Sequence, residues 1–252
     1  MSNVPETEKV DKLTFIEHLS ELRQRLLKCL IVLAITTIAS FVFAEHIFHI
    51  LISPAGDINL IFIEMTEMIS TYMKVSLACG VIFAMPYLIY HLIMFVSPAL
   101  TRQEKKYVYW ILPWITLMFA AGVAFGYFIL IPPATKFLIT FGSEIATPQI
   151  KIGNYISLVA RLLVASGGVF ETPVIIMFLA RLGIVTPKTL SSKRRHAIVI
   201  AFILAAIITP TFDPINQSLV AIPLIALYEL SIWLAKLVQR KEAPVVTPAP
   251  SP

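Results

Sequence analysis

The chain has 252 residues, of which 58% are hydrophobic and only 14% are charged. Such a composition excludes an ordinary soluble domain and predicts a polytopic membrane protein. The formal net charge of +5 would suggest nucleic acid as a partner of a soluble protein. Here the basic residues lie beside apolar runs, where anionic lipid headgroups account for them better.

The first 25 residues precede the apolar part of the chain. Thr14 and Glu17 form a capping-box pattern, which predicts a helix that starts at Thr14 after a flexible segment over residues 1–13. Leu19 and Leu22 fall on one face of this helix, as in an amphipathic helix at the membrane surface. No small-residue cleavage site follows the first apolar run, so we expect the segment to be retained rather than removed as a signal peptide.

Six apolar stretches are candidates for membrane-spanning helices. They cover residues 26–44, 72–96, 107–131, 155–182, 197–209 and 219–237. The fifth, with roughly 13 residues, would reach only about 20 Å across a hydrocarbon core of about 30 Å. We therefore expect the fifth and sixth helices to be short and to thin the bilayer locally.

The distribution of basic residues predicts the orientation of these six helices. All but four of the 20 Lys and Arg residues lie in or beside the segments of one side; the four are Lys74, Lys136, Lys151 and Arg161. An excess of positive charge marks the cytoplasmic side, so both termini are expected there. The predicted fold class is an all-α membrane protein with six transmembrane helices.

Prolines and small residues modify these helices. Pro86, Pro113 and Pro173 fall in the second, third and fourth spans, where each removes a backbone hydrogen bond and bends its helix. The motif Gly122-x-x-x-Gly126 and the run Ala165-Ser166-Gly167-Gly168 predict that the third and fourth helices approach each other closely.

Enzyme chemistry finds little support in the sequence. There is no Gly-rich phosphate loop and no triad of nucleophile, base and acid in a recognisable context. Cys29 and Cys79 lie in apolar stretches and are interpreted as packing residues, and His46 with His49 would make a weak metal site at most. We expect no catalytic centre, no metal and no cofactor.

Two glutamates stand where apolar runs meet water. Glu21 lies in the charged string over residues 18–26, and Glu104 follows residues 95–100. Carboxylates on one face of a membrane protein could bind a guanidinium-bearing peptide. The alternative is structural: Glu21 and Arg25, four residues apart, would form a solvated ion pair of a few tenths of a kcal/mol without any ligand.

Glu171 is an ionisable residue in the middle of an apolar span. Such residues are functional by default, because an unpaired charge there costs several kcal/mol, and we expect the carboxyl group to be protonated. A polar contact for a partner helix, or a place on a transport path, is one interpretation. The other is local, because Pro173 frees a carbonyl of the preceding turn to which a protonated Glu171 could donate.

The charged string, His18-Leu-x-Glu21-Leu-Arg23-x-Arg25-Leu26, resembles the N-terminal signature of the TatC family. Further family motifs follow in order within residues 14–240, and residues 241–252 read as a disordered Pro-rich tail. These motifs are Ser53-Pro54, Pro86-Tyr87-Leu88-Ile89-Tyr90, Phe95-Val96-Ser97-Pro98-Ala99-Leu100, Glu104-Lys105-Lys106, Phe125-Gly126-Tyr127-Phe128, Phe170-Glu171-Thr172-Pro173, Ala221-Ile222-Pro223 and Tyr228-Glu229.

The resemblance implies a receptor subunit of the twin-arginine protein translocase in the prokaryotic cytoplasmic membrane. Such a receptor binds signal peptides with paired arginines on folded cargo, works with TatA/TatB-like single-helix subunits in a larger complex, and depends on the proton-motive force. The residues that match the family's peptide-binding positions are Glu21, Arg23, Phe95, Pro98, Leu100 and Glu104. In this scheme Arg23 orients a carboxylate, and Phe95 and Pro98 shape the loop.

The resemblance also implies contacts to partner helices. Thr209 and Gln217 match polar positions that receive such helices, although one extra residue around Pro214 weakens the match of Gln217. Pro54 and Pro173 are implied to be structural. A second functional hypothesis remains, in which the chain is a proton-coupled transporter of small solutes that uses Glu171 as its coupling carboxylate.

Overall fold

The computed structural model describes residues 6–56, 60–96, 102–141, 143–145, 147–181, 183–209 and 214–238. In chain order the elements are α1 (Glu6–Val42), α2 (Ala44–Ile52), a 3₁₀ turn (Ser53–Ala55), β1 (Leu60–Ile61), α3 (Glu67–Val96), α4 (Arg102–Phe125), a π-helical turn (Gly126–Leu130), α5 (Ile131–Thr140), β2 (Ile150–Lys151), α6 (Ile152–Phe170), α7 (Thr172–Arg181), α8 (Pro187–Ser192), α9 (Arg194–Ile208) and α10 (Pro214–Val238).

Five stretches of these helices are long and apolar enough to cross a membrane. They are Leu19–Val42, Glu67–Phe95, Leu112–Thr140, Ile152–Arg181 and Gln217–Val238. Each overlaps a predicted span, and together they mark a multi-pass membrane protein. The fifth predicted span corresponds to α9, whose 15 residues reach about 22 Å.

Two expectations about element bounds need correction. The sixth helix is not short, because α10 has 25 residues. Helix α1 begins at Glu6, so the predicted helix start at Thr14 is wrong, whereas the expected domain boundary at residue 13 stays a prediction. The expected tail over 241–252 lies outside the described residues.

The third span extends beyond its predicted end at residue 131. The π-helical turn joins α4 to α5, and α5 carries Pro132 and Pro133 in its first turn. Prolines are tolerated there because the first N–H groups of a helical segment need no intrahelical partner. The wider π turn before them resets the hydrogen-bond ladder, so the chain continues as one span.

The other prolines behave in two ways. Pro86, Pro113 and Pro223 stay inside α3, α4 and α10, and the bends expected at Pro86 and Pro113 remain predictions. Pro173 accompanies a break, since α6 ends at Phe170 and α7 begins at Thr172.

A short pairing of two strands closes one end of the bundle. Leu60 pairs with Ile150, and Ile61 pairs with Lys151, in parallel. Because β2 leads directly into α6 and β1 precedes α3, the first turns of both helices begin at this end. We call it the cap end. Helix α3 spans 30 residues, about 45 Å, so it ends at the opposite side of the bundle, the α3–α4 end.

The core lies where α3, α5, α6, α9 and α10 meet. Val75, Ile131, Ile156, Val159 and Leu162 are at most 1% exposed. Helix α1 stands at the side of this core and packs mainly against α3, where the Thr36 hydroxyl donates to the Gly80 carbonyl at 2.9 Å. Its many exposed aliphatic side chains suit a lipid environment.

Candidate functional site

Glu21 holds a guanidinium group within its own helix. Arg25 Nε donates to Glu21 Oε1 at 2.9 Å, and a second guanidinium nitrogen donates to the same oxygen. The Glu21 side chain is 35% exposed and the Arg25 side chain 20%. The ion pair expected from the four-residue spacing is therefore confirmed, and its exposure limits its value to about 0.2–1 kcal/mol.

The same arginine connects α1 to the last third of α3. Arg25 Nη1 lies 3.5 Å from His91 Nδ1. His91 is buried, and its ring packs edge-on against Tyr87 and Tyr90 at centroid distances of 4.4 and 5.3 Å. This contact places Glu21 at the α3–α4 end of the bundle.

The remaining predicted peptide-binding residues lie around the connection between α3 and α4. Phe95 is half-buried, one turn beyond His91. Pro98 and Leu100 lie outside the described residues. Glu104 is the third residue of α4, and its side chain is outside the described part of the chain.

The length of this connection limits how far Glu104 can be from Glu21. Six residue steps separate Val96 from Arg102, so their Cα atoms are at most about 22 Å apart. A hydrocarbon core of about 30 Å separates the two faces of a bilayer. The start of α4 therefore lies on the same face as the end of α3, and both glutamates belong to the α3–α4 end.

Arg23 does not share the face of Glu21. It is exposed, and two residues along a helix turn the side chain by about 200°. The guanidinium that holds Glu21 belongs to Arg25, so an orienting role for Arg23 stays a prediction.

Glu171 is the most unusual buried group of the described chain. It is 1% exposed, and neither of its carboxyl oxygens has a hydrogen-bond partner among the residues that the structure describes. Its backbone is ordinary: the Glu171 N–H donates to the Gly168 carbonyl at 3.2 Å, and the Glu171 carbonyl accepts from Ile175 at 2.9 Å. The local interpretation is wrong, because the side chain does not donate to the turn before Pro173.

Thr209 directly follows α9, and Gln217 lies in the first turn of α10. Thr209 is the C-cap of α9, is buried, and donates its hydroxyl to the Ala205 carbonyl at 2.8 Å. Gln217 Nε2 donates to the Phe202 carbonyl at 3.0 Å, across to α9. Both residues thus have a structural task in the hairpin. Pro54 is half-buried in the 3₁₀ turn after α2.

Glu67 is a residue whose role the sequence alone did not reveal. It is buried at the first position of α3, and its carboxylate accepts from the Ile63 N–H at 2.9 Å and from the Gly153 N–H at 3.2 Å. A carboxylate is favoured beside the N-terminal amides of helices, and Glu67 joins the segment that precedes α3 to the first turn of α6. An acid directly after Thr66 was the only signal in the sequence.

Comparison with known proteins identifies similar sequences over most of the chain. Residues 17–223 match the family model of the Sec-independent protein translocase protein (TatC). The Sec-independent protein translocase protein TatC of Aquifex aeolicus is 42% identical over 232 residues, 90% of this chain and 96% of that protein. The protein of the same name from Carboxydothermus hydrogenoformans is 38% identical over 232 residues, 91% and 96% of the two chains.

The fold is similar to a solved structure as well. The crystal structure of the twin-arginine translocase receptor TatC superposes with a TM-score of 0.78 at 41% sequence identity. The match covers 88% of this chain and all of the other.

Proposed function

This chain belongs to the TatC family of Sec-independent protein translocase proteins, and we propose that it is the receptor subunit that binds twin-arginine signal peptides of folded proteins. The main observation in support of the proposed peptide site is the contact between Glu21 and the Arg25 guanidinium. It supports the view that this carboxylate accepts a guanidinium group in its own local environment.

A peptide with two arginines requires two carboxylates if each guanidinium group is to form its own ion pair. A guanidinium forms two parallel hydrogen bonds to a carboxylate, whereas a lysine ammonium lacks this fork. Glu21 and Glu104 supply the pair at the α3–α4 end, with Phe95, Pro98 and Leu100 forming the surface between them and Arg23 as an orienting cation. A twin-arginine peptide should therefore bind about 10 to 100 times more tightly than a twin-lysine peptide.

The proposed setting is the prokaryotic cytoplasmic membrane, with six transmembrane helices and both termini in the cytoplasm. The excess of Lys and Arg on one side supports this orientation. In it the α3–α4 end faces the cytoplasm, where folded cargo arrives, and the cap end faces outward. Helix α9 would be the sixth spanning segment, in a locally thinner bilayer.

Partner subunits are proposed to dock within the membrane. Glu171 is a buried carboxyl group without a hydrogen-bond partner in the described chain, which supports a role for it as a polar contact for a TatA/TatB-like helix. Thr209 and Gln217 extend the polar surface at the outer end of the hairpin. Assembly of such helices, driven by the proton-motive force, would then move the cargo across.

Binding of a labelled twin-arginine peptide to the purified full-length chain tests the peptide site. Glu21→Ala or Glu104→Ala should reduce binding at least about tenfold, because each removes one charged pair. Glu144→Ala, at an exposed position outside the helices, is the matched control and should bind as the unchanged protein does. Equal binding of a twin-lysine peptide, or equal loss in all three variants, would contradict the proposal.

The carboxyl group of Glu171, which has no hydrogen-bond partner among the described residues, also supports a second candidate function, a proton-coupled transporter of small solutes. Proteoliposomes distinguish the two. If Glu171→Gln blocks a proton-coupled solute flux while the Glu21 variant leaves it intact, the transporter hypothesis gains. Loss of cargo export in both variants, without any solute flux, favours the receptor.

A further inference from the structure

Arg161 is a charged residue in an apolar helix. It lies nine residues after Ile152, the start of α6, or about 14 Å along the axis, within the span Ile152–Arg181. Its side chain is exposed, and it makes no hydrogen bond or ion pair to any described residue. An arginine in such a place needs an anionic partner.

A second cation lies on the neighbouring helix. Lys74 of α3 is exposed, and its Nζ donates to the hydroxyl of Ser157 at 3.2 Å. Ser157 and Arg161 are four residues apart on α6, so their side chains occupy one face. Lys74, Ser157 and Arg161 form what we call the α3–α6 basic patch.

The acidic residues described near this patch either bind other groups or lie too far away to pair with it. Glu67, on the same helix as Lys74, accepts hydrogen bonds from backbone N–H groups of the cap. Glu64 pairs with Lys151 at 3.4 Å. Glu171 is ten residues beyond Arg161, about 15 Å along the axis. The patch therefore carries two positive charges without a carboxylate beside them in the described chain.

We propose that the α3–α6 basic patch binds the phosphate headgroup of an anionic phospholipid in the leaflet at the cap end. Side chains on a helix tilt toward its N-terminus, and both α3 and α6 begin at the cap end. Lys74 and Arg161 thus extend toward the headgroup layer, as long cationic side chains do at membrane boundaries. Arg161 supplies a fork for two phosphate oxygens and Lys74 a point charge.

The surroundings suit a lipid better than a soluble anion. Met73 and Leu77, on either side of Lys74 along α3, are 56% and 52% exposed and offer apolar surface to acyl chains. The patch opens on the outside of two membrane-spanning segments, where lipid is the normal neighbour. The inference does not depend on the proposed peptide site, which lies at the opposite end of α3.

Native mass spectrometry of the full-length chain in detergent tests the inference. Phosphatidylglycerol and phosphatidylcholine with identical acyl chains are added, and the apparent affinity of each is measured. We expect a preference for phosphatidylglycerol that falls about fivefold in Lys74→Gln or Arg161→Gln and about thirtyfold in the double variant. Lys136→Gln, an exposed cation of α5 near the cap end, is the matched control and should keep the preference.

Several results of this experiment would overturn the proposal or its assignment to a lipid. Unchanged phosphatidylglycerol binding in the folded double variant, checked by its thermal unfolding, would overturn the proposal, as would an equal loss in the control. Displacement of the lipid by millimolar inorganic phosphate would assign a plain anion site and overturn the lipid assignment. If phosphatidylglycerol is not preferred by the unchanged protein, the patch serves another partner, such as a carboxylate of a neighbouring helix.

Discussion

The contact between α4 and α6 yields a prediction that depends on geometry alone. A Cβ atom added at Gly122 would lie 2.6 Å from the Ser166 carbonyl oxygen and 2.9 Å from the Gly167 Cα atom. Both are backbone atoms, so no side-chain rotation relieves the overlap. The helices must move apart until the shortest contact reaches about 3.4 Å, where ordinary van der Waals contact begins. We expect Gly122→Ala to lower the free energy of unfolding by about 2–3 kcal/mol.

Gly168 offers a matched control for this substitution. A Cβ atom there meets nothing within 4 Å, although the residue lies on the same helix pair. Gly168→Ala should therefore raise the free energy of unfolding by about 0.5–1 kcal/mol through its better helix propensity. Unfolding of the purified variants by denaturant in mixed micelles measures both. Equal stability of the two variants would refute the reasoning from close helix approach.

Three further predictions concern the charged groups. Glu67→Ala should speed amide hydrogen exchange at the first turn of α6 by at least about tenfold, because opening of that turn then breaks no hydrogen bond to the Glu67 carboxylate. Glu64→Ala should leave the exchange rate unchanged. Equal rates in the two variants would contradict the role of Glu67. Glu171→Leu should raise the free energy of unfolding by about 1–2 kcal/mol, because it removes an unsatisfied buried group. The same variant should no longer export a reporter cargo. A lower free energy of unfolding would contradict the expected gain in stability. Arg25→Gln should tighten binding of a twin-arginine peptide about two- to fivefold, because the Arg25 guanidinium no longer competes for Glu21. Arg195→Gln should leave the affinity unchanged. Weaker binding in Arg25→Gln would show instead that Arg25 orients the Glu21 carboxylate.

The sequence predicted those parts of the fold that depend on local patterns. Apolar runs of membrane length located five spans, and the pattern of Gly122 and Gly126 predicted the close contact of α4 with α6. Small residues leave room for a neighbouring backbone wherever they recur on one helix face, so their spacing carries tertiary information. The pairing of Glu21 with Arg25 could be predicted in the same way, because the two residues are four apart on one helix.

What the sequence did not reveal depends on contacts between distant segments. The two-residue pairing of β1 with β2 joins stretches about 90 residues apart, and so short a strand has no periodicity of its own. The contact of Arg25 with His91 follows from how α1 packs on α3. The third span was predicted to end at residue 131, but the π turn before Pro132 and Pro133 lets the span continue. That the carboxyl group of Glu171 has no hydrogen-bond partner among the described residues likewise follows from packing rather than from the neighbouring proline.

The pair formed by Glu21 and Arg25 has a consequence for the energetics of cargo recognition. In the proposed peptide site, the empty protein does not present Glu21 as a bare carboxylate, because Arg25 of the same helix already pairs with it. Under this proposal, capture of a signal sequence exchanges one guanidinium for another at Glu21, and the net gain there is what the peptide contact contributes beyond the partly exposed Arg25 pair. The same exchange would assist release of the peptide, since Arg25 can pair with Glu21 again when the peptide arginine leaves.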